Sequence, residues 1–313
     1  MSVEAKQKIH VGISSCLMGQ KVRFDANHKE QRFITQKLAQ KFELVPVCPE
    51  MAIGLGVPRT PIHLVGDQHN QRVVNVKDES IDVTQQLVEF GQQTAKQLDF
   101  ISGYIFKKGS PSCGLFNVKI YKSKTQVLNS GTGIYAQQII ENNPLLPVEE
   151  EGRLKDDKLR HNFLQRVEVY HRWQQLLANG VSKKSIIEFH TRHKFMLLAH
   201  CEATYRTMGR MTAQLGNTDL RSFADDYIAM LMTGLKKPTS RGKHTNVLEH
   251  LLGYFKRYLD VHDKSEMRQL IEGYRAGEVS REVPLTMLKH YLRKFPSSYV
   301  NRQYYLGHCY SSL

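Results

Sequence analysis

Three short apolar runs in the first third of the chain each break into small or turn residues and then reach a cysteine. They are His10-Val11-Gly12-Ile13-Ser14-Ser15-Cys16, Phe42-Glu43-Leu44-Val45-Pro46-Val47-Cys48, and a run from Ile101 to Phe106 followed by Lys107-Lys108-Gly109-Ser110-Pro111-Ser112-Cys113-Gly114. β-Branched and aromatic runs bounded by Gly, Ser and Pro read as strands. The pattern therefore predicts three strands, each carrying one thiol just past its end. Between them the period changes. A helix is expected over 32–42, and Ile81, Leu87, Val88, Ala95 and Leu98 make one stripe of a longer helix. A pair of short strands is expected around 62–65 and 72–76, after a Gly/Pro-punctuated segment (54–61) too broken for regular structure. Strands alternating with helices predict an α/β N-terminal domain with a parallel layered sheet, Rossmann-like, whose ligand site lies beyond the carboxyl ends of the strands.

The stretch 141–157 combines Pro, Gly and an acidic run and reads as a boundary. We therefore expect domains at 1–155 and 156–313, the second all-α. Helical stretches are expected at 160–178, 182–199, 218–234, 243–259, 264–275 and 283–293. In 243–259 the residues Val247, Leu248, Leu251, Leu252, Phe255 and Leu259 form one apolar face.

Composition narrows the function. The formal net charge is +14, but residues 1–150 hold 17 Lys and Arg against 14 Asp and Glu, and the remainder 27 against 16. A second half at +11 points to a polyanion such as RNA or DNA, the bland reading being an excess of solvated lysines. No apolar segment approaches the roughly 20 residues that span a bilayer, and no apolar leader opens the chain, so the expected compartment is the cytoplasm. Five cysteines, an odd number, speak against a disulfide framework and fit a reducing environment.

Three loop thiols are one short of a closed tetrahedral zinc site, and paired Cys-x-x-Cys spacing is absent. Three thiolates round a cubane iron–sulfur cluster would leave one iron open to substrate. Ordinary buried cysteines are the competing reading. A nucleophilic cysteine would want a histidine, and these loops offer none. Glu50, two residues after Cys48, is the one carboxylate beside the thiols in sequence; it is either a loop acid or a proton donor and acceptor. Ser110 is either a turn residue or a hydroxyl aimed at substrate. Cys201 and Cys309 lack such loops and read as structural thiols. Tyr205, Tyr254 and Tyr258 sit at helical spacings that favour core over base stacking.

Ser15-Cys16-Leu17-Met18-Gly19, Val22-Arg23-Phe24-Asp25, Cys48-Pro49-Glu50 and Ser110-Pro111-Ser112-Cys113-Gly114 together resemble the thiouracil desulfidases. Lys194 to His200, Tyr205-Arg206-Thr207-Met208-Gly209-Arg210, Asn246 to His250 and Val283 to Thr286 resemble the helical domain often fused behind them. The resemblance implies a 4Fe–4S cluster on Cys16, Cys48 and Cys113, with Glu50 as acid/base and Ser110 as assisting hydroxyl. It further implies non-redox removal of sulfur from thiolated uracil, and, for two-domain members, from 4-thiouridine in tRNA. Phe24 departs from a frequent Tyr, and the ending Gly307-His308-Cys309-Tyr310 from an expected Pro-rich one. On this reading tRNA is the partner, and Arg241, Lys243, His244, Lys256 and Arg257 are the candidate phosphate contacts. Three alternatives remain: a desulfidase of free thiouracil-type bases, a non-catalytic RNA-binding protein with a structural cluster, and an iron–sulfur dehydratase, which the basic half disfavours.

Overall fold

In the computed structural model, which describes residues 8–67, 70–122, 126–217 and 219–307, the first apolar run forms strand β1 (Ile9–Ser14). It pairs in parallel with β2 (Phe42–Val47) on one side and β5 (Tyr104–Phe106) on the other, and β5 pairs in parallel with β8 (Val148–Glu150). The order β2-β1-β5-β8 means that the chain leaves β1 in one direction and later returns on its other flank. That reversal is a switch point, where the carboxyl ends of neighbouring strands diverge and leave a crevice. Gly12 is dictated by packing: a Cβ there would lie 2.4 Å from Cδ2 of the Tyr104 ring.

Between β1 and β2 the chain makes a π-helical segment (Phe33–Leu38) running into α1 (Ala39–Lys41), and α2 (Pro49–Ala52) follows β2. A second sheet then forms from β3 (Ile62–Gly66), β4 (Gln71–Asn75), β6 (Val118–Tyr121) and β7 (Val127–Gly131), in the order β4-β3-β6-β7. Its buried residues Leu64, Val73, Val118 and Ile120 share a core with Val83, Leu87 and Ile134. Helices α3 (Thr84–Gln97) and α4 (Ile134–Asn142) pack together, and Ala95, Tyr135, Ala136 and Ile139 close over Tyr104, Phe106 and Cys113.

The parallel α/β expectation holds. The second sheet extends beyond it, because β6 and β7 are short and lack a turn signal that stands out. The stretch 141–157 departs most. Rather than a linker, its acidic run forms the end of β8 and the turn after it, where Glu149, Glu150 and Glu151 are all buried. Pattern reading sends such a run to the surface, but each carboxylate is satisfied here. Glu150 accepts from the backbone N–H groups of Leu115 (2.9 Å) and Phe116 (3.1 Å), and Glu151 from that of Lys108 (2.7 Å) and the Lys107 ammonium. Glu149 accepts from Arg153 (2.7 Å).

Helix α5 (Asp157–Ala178) follows, and the chain divides by packing inside it, after Gln174. Residues 156–174 thus group with the first unit, past the expected boundary at 155. Their side chains are the reason. The Gln174 carboxamide hydrogen-bonds Ser102 and the Asp99 and Ile101 carbonyls, and Phe163 and Val167 fill the space above Gly103.

The second unit, from residue 175, is helical: α6 (Lys183–His200), α7 (Glu202–Ala213), α8 (Leu220–Leu235), α9 (Arg241–Gly253), α10 (Val261–Ala276), α11 (Glu282–Lys294), α12 (Ser298–Asn301) and α13 (Tyr304–Gly307). Ser182, Asp219, Ser240 and Asp260 cap α6, α8, α9 and α10 by accepting from the N3 backbone N–H. Val247, Leu248, Leu251, Leu252, Phe255 and Leu259 are buried as the stripe predicts, against Met267, Ile271, Leu285 and Leu288. Helix α7 was not anticipated. No helix among the described residues is long and apolar enough to cross a membrane.

Candidate active site

All three expected thiols stand at strand ends. Cys16 lies two residues after β1 in a 3-10 turn (Ser15–Met18), Cys48 caps α2 directly after β2, and Cys113 ends the loop after β5. Their strands are neighbours, so three segments far apart in sequence deliver sulfur to one place. They line a cavity of about 390 Å³ together with Ser14, Arg23, Glu50, Arg59, Lys107, Lys108 and Ser110, among others.

The loop that presents Cys113 is held by its own hydroxyls. Ser110 Oγ accepts from the Cys113 N–H (3.1 Å) and the Ser112 N–H (3.3 Å), and the Ser110 carbonyl accepts from the Gly114 N–H (2.8 Å). Only glycine fits at 114, since a Cβ would meet Val118 Cγ2 at 2.3 Å. Ser14 Oγ accepts from the Lys107 N–H at 3.0 Å, which ties the ends of β1 and β5 together.

Glu50 is clamped from both sides. Arg59 donates to Oε2 through Nη2 (2.5 Å) and Nε (3.1 Å), while Ser112 donates to Oε1 at 2.6 Å. Ser110, the serine singled out in the sequence, is 3.5 Å from Oε1 and 2.9 Å from the Ser112 hydroxyl. The closer hydroxyl is therefore that of Ser112. Arg59 also donates to the Gly56 and Val22 carbonyls, which pins the loop before it. Sequence reading missed both Arg59 and Ser112. A lone Arg in a Gly/Pro-stiffened loop soon after a candidate acid was the available signal. Behind the larger effect of burial, Glu50 raises the pKa of Cys48 and Cys113, and Glu151 adds to that of Cys16.

Burial pushes the Cys16 thiol up to about 11, raises Cys48, and raises Cys113 well above the ordinary thiol range. Bare thiols here stay protonated; only bound metal, which deprotonates a coordinating thiol outright, reverses that. No group of three or more His, Cys, Asp or Glu among the described residues is gathered tightly enough for a metal ion. Three cysteines lining one cavity suit a larger, polynuclear guest. The donor set thus fits a cluster better than a zinc ion.

An α/β unit with three thiols and a clamped carboxylate at the switch point of a parallel sheet defines the class. The chain belongs to the 2-thiouracil desulfurase family, whose model matches residues 11–151, and residues 194–309 match a family of proteins of unknown function, DUF1722. It is 30% identical over 141 residues to the uncharacterized protein YbgA of Escherichia coli (strain K12), covering 45% of this chain and 83% of YbgA. It is 34% identical over 109 residues to the uncharacterized protein YbbK of Bacillus subtilis (strain 168), covering 33% and 71%. Among solved structures it is similar to the 4Fe–4S-dependent thiouracil desulfidase TudS, with 28% identity, a TM-score of 0.38, and coverage of 48% of this chain and 94% of TudS.

The residues expected to meet RNA fall differently. His244 is buried, 7% exposed, with its ring nitrogens against the Tyr305 hydroxyl (2.9 Å) and Arg281 (3.0 Å), so it is a packing residue and not a surface cation. Lys243 donates to the His200 carbonyl at 2.6 Å, closing the end of α6. Arg241, Lys256 and Arg257 are exposed. Tyr254 and Tyr258, expected in the core, are 44% and 62% exposed. Cys201 is half-buried and accepts from the Thr204 hydroxyl at 3.1 Å; Cys309 and the tail beyond Gly307 lie outside the described residues.

Proposed function

We propose that this protein replaces sulfur by oxygen in thiolated uracil, with 4-thiouridine in tRNA as substrate. The net change is C=S + H2O → C=O + H2S, with no change of oxidation state. The observation that carries this reading is the convergence of three strand-end thiols and one clamped carboxylate on a single cavity. Cys16, Cys48 and Cys113 would hold a 4Fe–4S cluster, the group named for TudS. When bound, such a cluster supplies an iron lacking a protein ligand, a Lewis acid suited to a soft thiocarbonyl sulfur. Glu50 holds the proton exchanged at the ring nitrogen beside the thiocarbonyl. Arg59 fixes one oxygen of that carboxylate, and Ser112, backed by Ser110, fixes the other.

A polymeric substrate is favoured over a free base by the cavity wall, where Arg23, Lys29, Arg59, Lys107 and Lys108 face the single carboxylate of Glu50. Arg59 and Lys107 are engaged with Glu50 and Glu151, but Lys29 and Lys108 are exposed. Phe24 is also exposed, with the Arg23 guanidinium 5.3 Å from its ring centroid, and offers a platform for a base. The +11 half supplies further phosphate affinity.

The test is anaerobic reconstitution of the whole chain, with iron and sulfide determined per chain and sulfide release measured from thiolated tRNA and from free thiouracil. Release from tRNA with near-stoichiometric cluster supports the reading. A fully loaded protein that acts only on the free base overturns the substrate, and one that acts on neither overturns the activity.

A further inference from the structure

We propose that the cleft between α6 and α7 is a binding site for the RNA backbone, with an adjoining aromatic wall for an unstacked base. The inference rests on the reading of tRNA as partner and moves the contact away from the residues first expected. Helix α6 ends at His200 and α7 starts at Glu202, with Cys201 between them. Each turns one face to a cavity of about 540 Å³: His190, Thr191 and Lys194 from α6, and Tyr205, Arg206, Gly209 and Arg210 from α7. Residues three and four apart share a helix face, as His190 and Lys194, Tyr205 and Gly209, and Arg206 and Arg210 do here. No Asp or Glu lines it.

The cations are weakly engaged. Among the described residues Arg206 pairs with Glu202 four residues earlier, both well exposed, and such a pair is worth little in water. Arg210 reaches the Thr207 hydroxyl at 3.3 Å. Lys194 is half-buried, its ammonium 4.7 Å from the centroid of the Tyr299 ring, and burial lowers its pKa. A phosphate beside it would offset that shift.

Gly209 is the independent observation. It sits inside α7, where glycine is a poor helix former, yet a Cβ there would meet no heavy atom within 4 Å. Packing therefore does not require glycine. Bare helix backbone beside three cations leaves room for a bulky anion to approach closely.

The aromatic wall continues from Lys194. Tyr299 stacks on Tyr254 with ring centroids 5.4 Å apart and planes at 25°. Tyr254 remains 44% exposed. Stacking on aromatics beside a cationic groove is how unpaired nucleotides are held with little regard to sequence.

The experiment measures binding of an unmodified tRNA transcript to the full chain across salt concentrations, with urea unfolding as a control. Lys194→Met with Arg210→Gln should weaken binding by about tenfold or more and lower the salt slope by about 1.5–2 units. Tyr254→Ala should weaken it about tenfold with the slope unchanged. Gly209→Leu should raise or keep the unfolding midpoint while weakening RNA binding, a pair of signs that a merely structural glycine would not give. Unchanged affinity and slope in the Lys194/Arg210 variant would overturn the proposal, as would displacement of RNA by polyglutamate as readily as by polyuridylate, which would indicate an acidic protein partner. Sulfide release from free thiouracil, measured in parallel, separates the two readings. Variants that bind RNA normally, in a protein that desulfurises tRNA, refute the cleft alone. A wild type that binds RNA through the cleft but releases no sulfide from thiolated tRNA refutes the substrate alone.

Discussion

At the residue scale, the carboxylate of Glu50 is defined by what holds each of its oxygens. Arg59 and Ser112 bind opposite oxygens, so removing the proton-holding function differs from removing its orientation. Glu50→Gln keeps the volume and should keep the cluster, while sulfide release from substrate falls by about 10²–10⁴. Ser112→Ala should cost about tenfold, since one hydrogen bond to a charged group is lost, and Ser110→Ala should instead loosen the Cys113 loop and lower cluster content. Equal turnover of Glu50→Gln and wild type at equal iron content would remove Glu50 from the chemistry. The thiols make a separate test. Replacing Cys16, Cys48 or Cys113 by Ala should abolish cluster absorbance and bound sulfide after reconstitution, whereas Cys201→Ala, with its thiol on Thr204, should leave both intact. Full cluster content in Cys48→Ala would dismiss that residue as a ligand.

At the scale of elements, β8 links the sheet to the cysteine loop through Glu150. Glu150→Leu would leave the N–H groups of Leu115, whose bond is buried, and Phe116, whose bond is partly so, without their acceptor, an expected loss of about 1–3 kcal/mol in urea unfolding. Glu150→Gln, which keeps an acceptor oxygen, should lose less. In the second unit, burial holds His190 down at about 4, with its Nδ1 3.2 Å from the Tyr227 hydroxyl and Lys194 nearby. A histidine depressed below its unfolded value near 6.5 favours the native state above that pH. Stability should fall as pH drops from about 6.5 towards 4, by at most about 3 kcal/mol, and His190→Gln should flatten that slope in unfolding midpoints. These two elements also show what the sequence could and could not disclose. The three thiol-bearing strands and the 243–259 stripe were legible because period and punctuation are local. Strand β8 was not, because the glutamates of 149–151 can be buried only once Arg153, Leu115, Phe116, Lys107 and Lys108 arrive to satisfy them. Arg59 and Ser112 were hidden for the same reason: their importance is a distance to Glu50, which no spacing along the chain encodes. His244 erred in the opposite direction, as a charge-bearing residue in a basic stretch that folding turns inward.

At the scale of the whole molecule, the first unit reaches past the expected boundary to Gln174. A fragment ending at 155 would lose Phe163, Val167 and the Gln174 hydrogen bonds that cover Gly103 and Ser102. It should unfold at lower urea than a fragment ending at 178, and only the longer one should retain cluster; equal midpoints would show that α5 is no part of the unit. The donors at 16, 48 and 113 are brought together by pairing of β2, β1 and β5, and the last loop is fastened by Glu150 and Glu151. A chain still emerging from the ribosome therefore has no finished receptacle until residue 151 has left the exit tunnel. On the proposed ligand set, iron delivered earlier would meet scattered thiols, and a cluster can seat only after the sheet is complete.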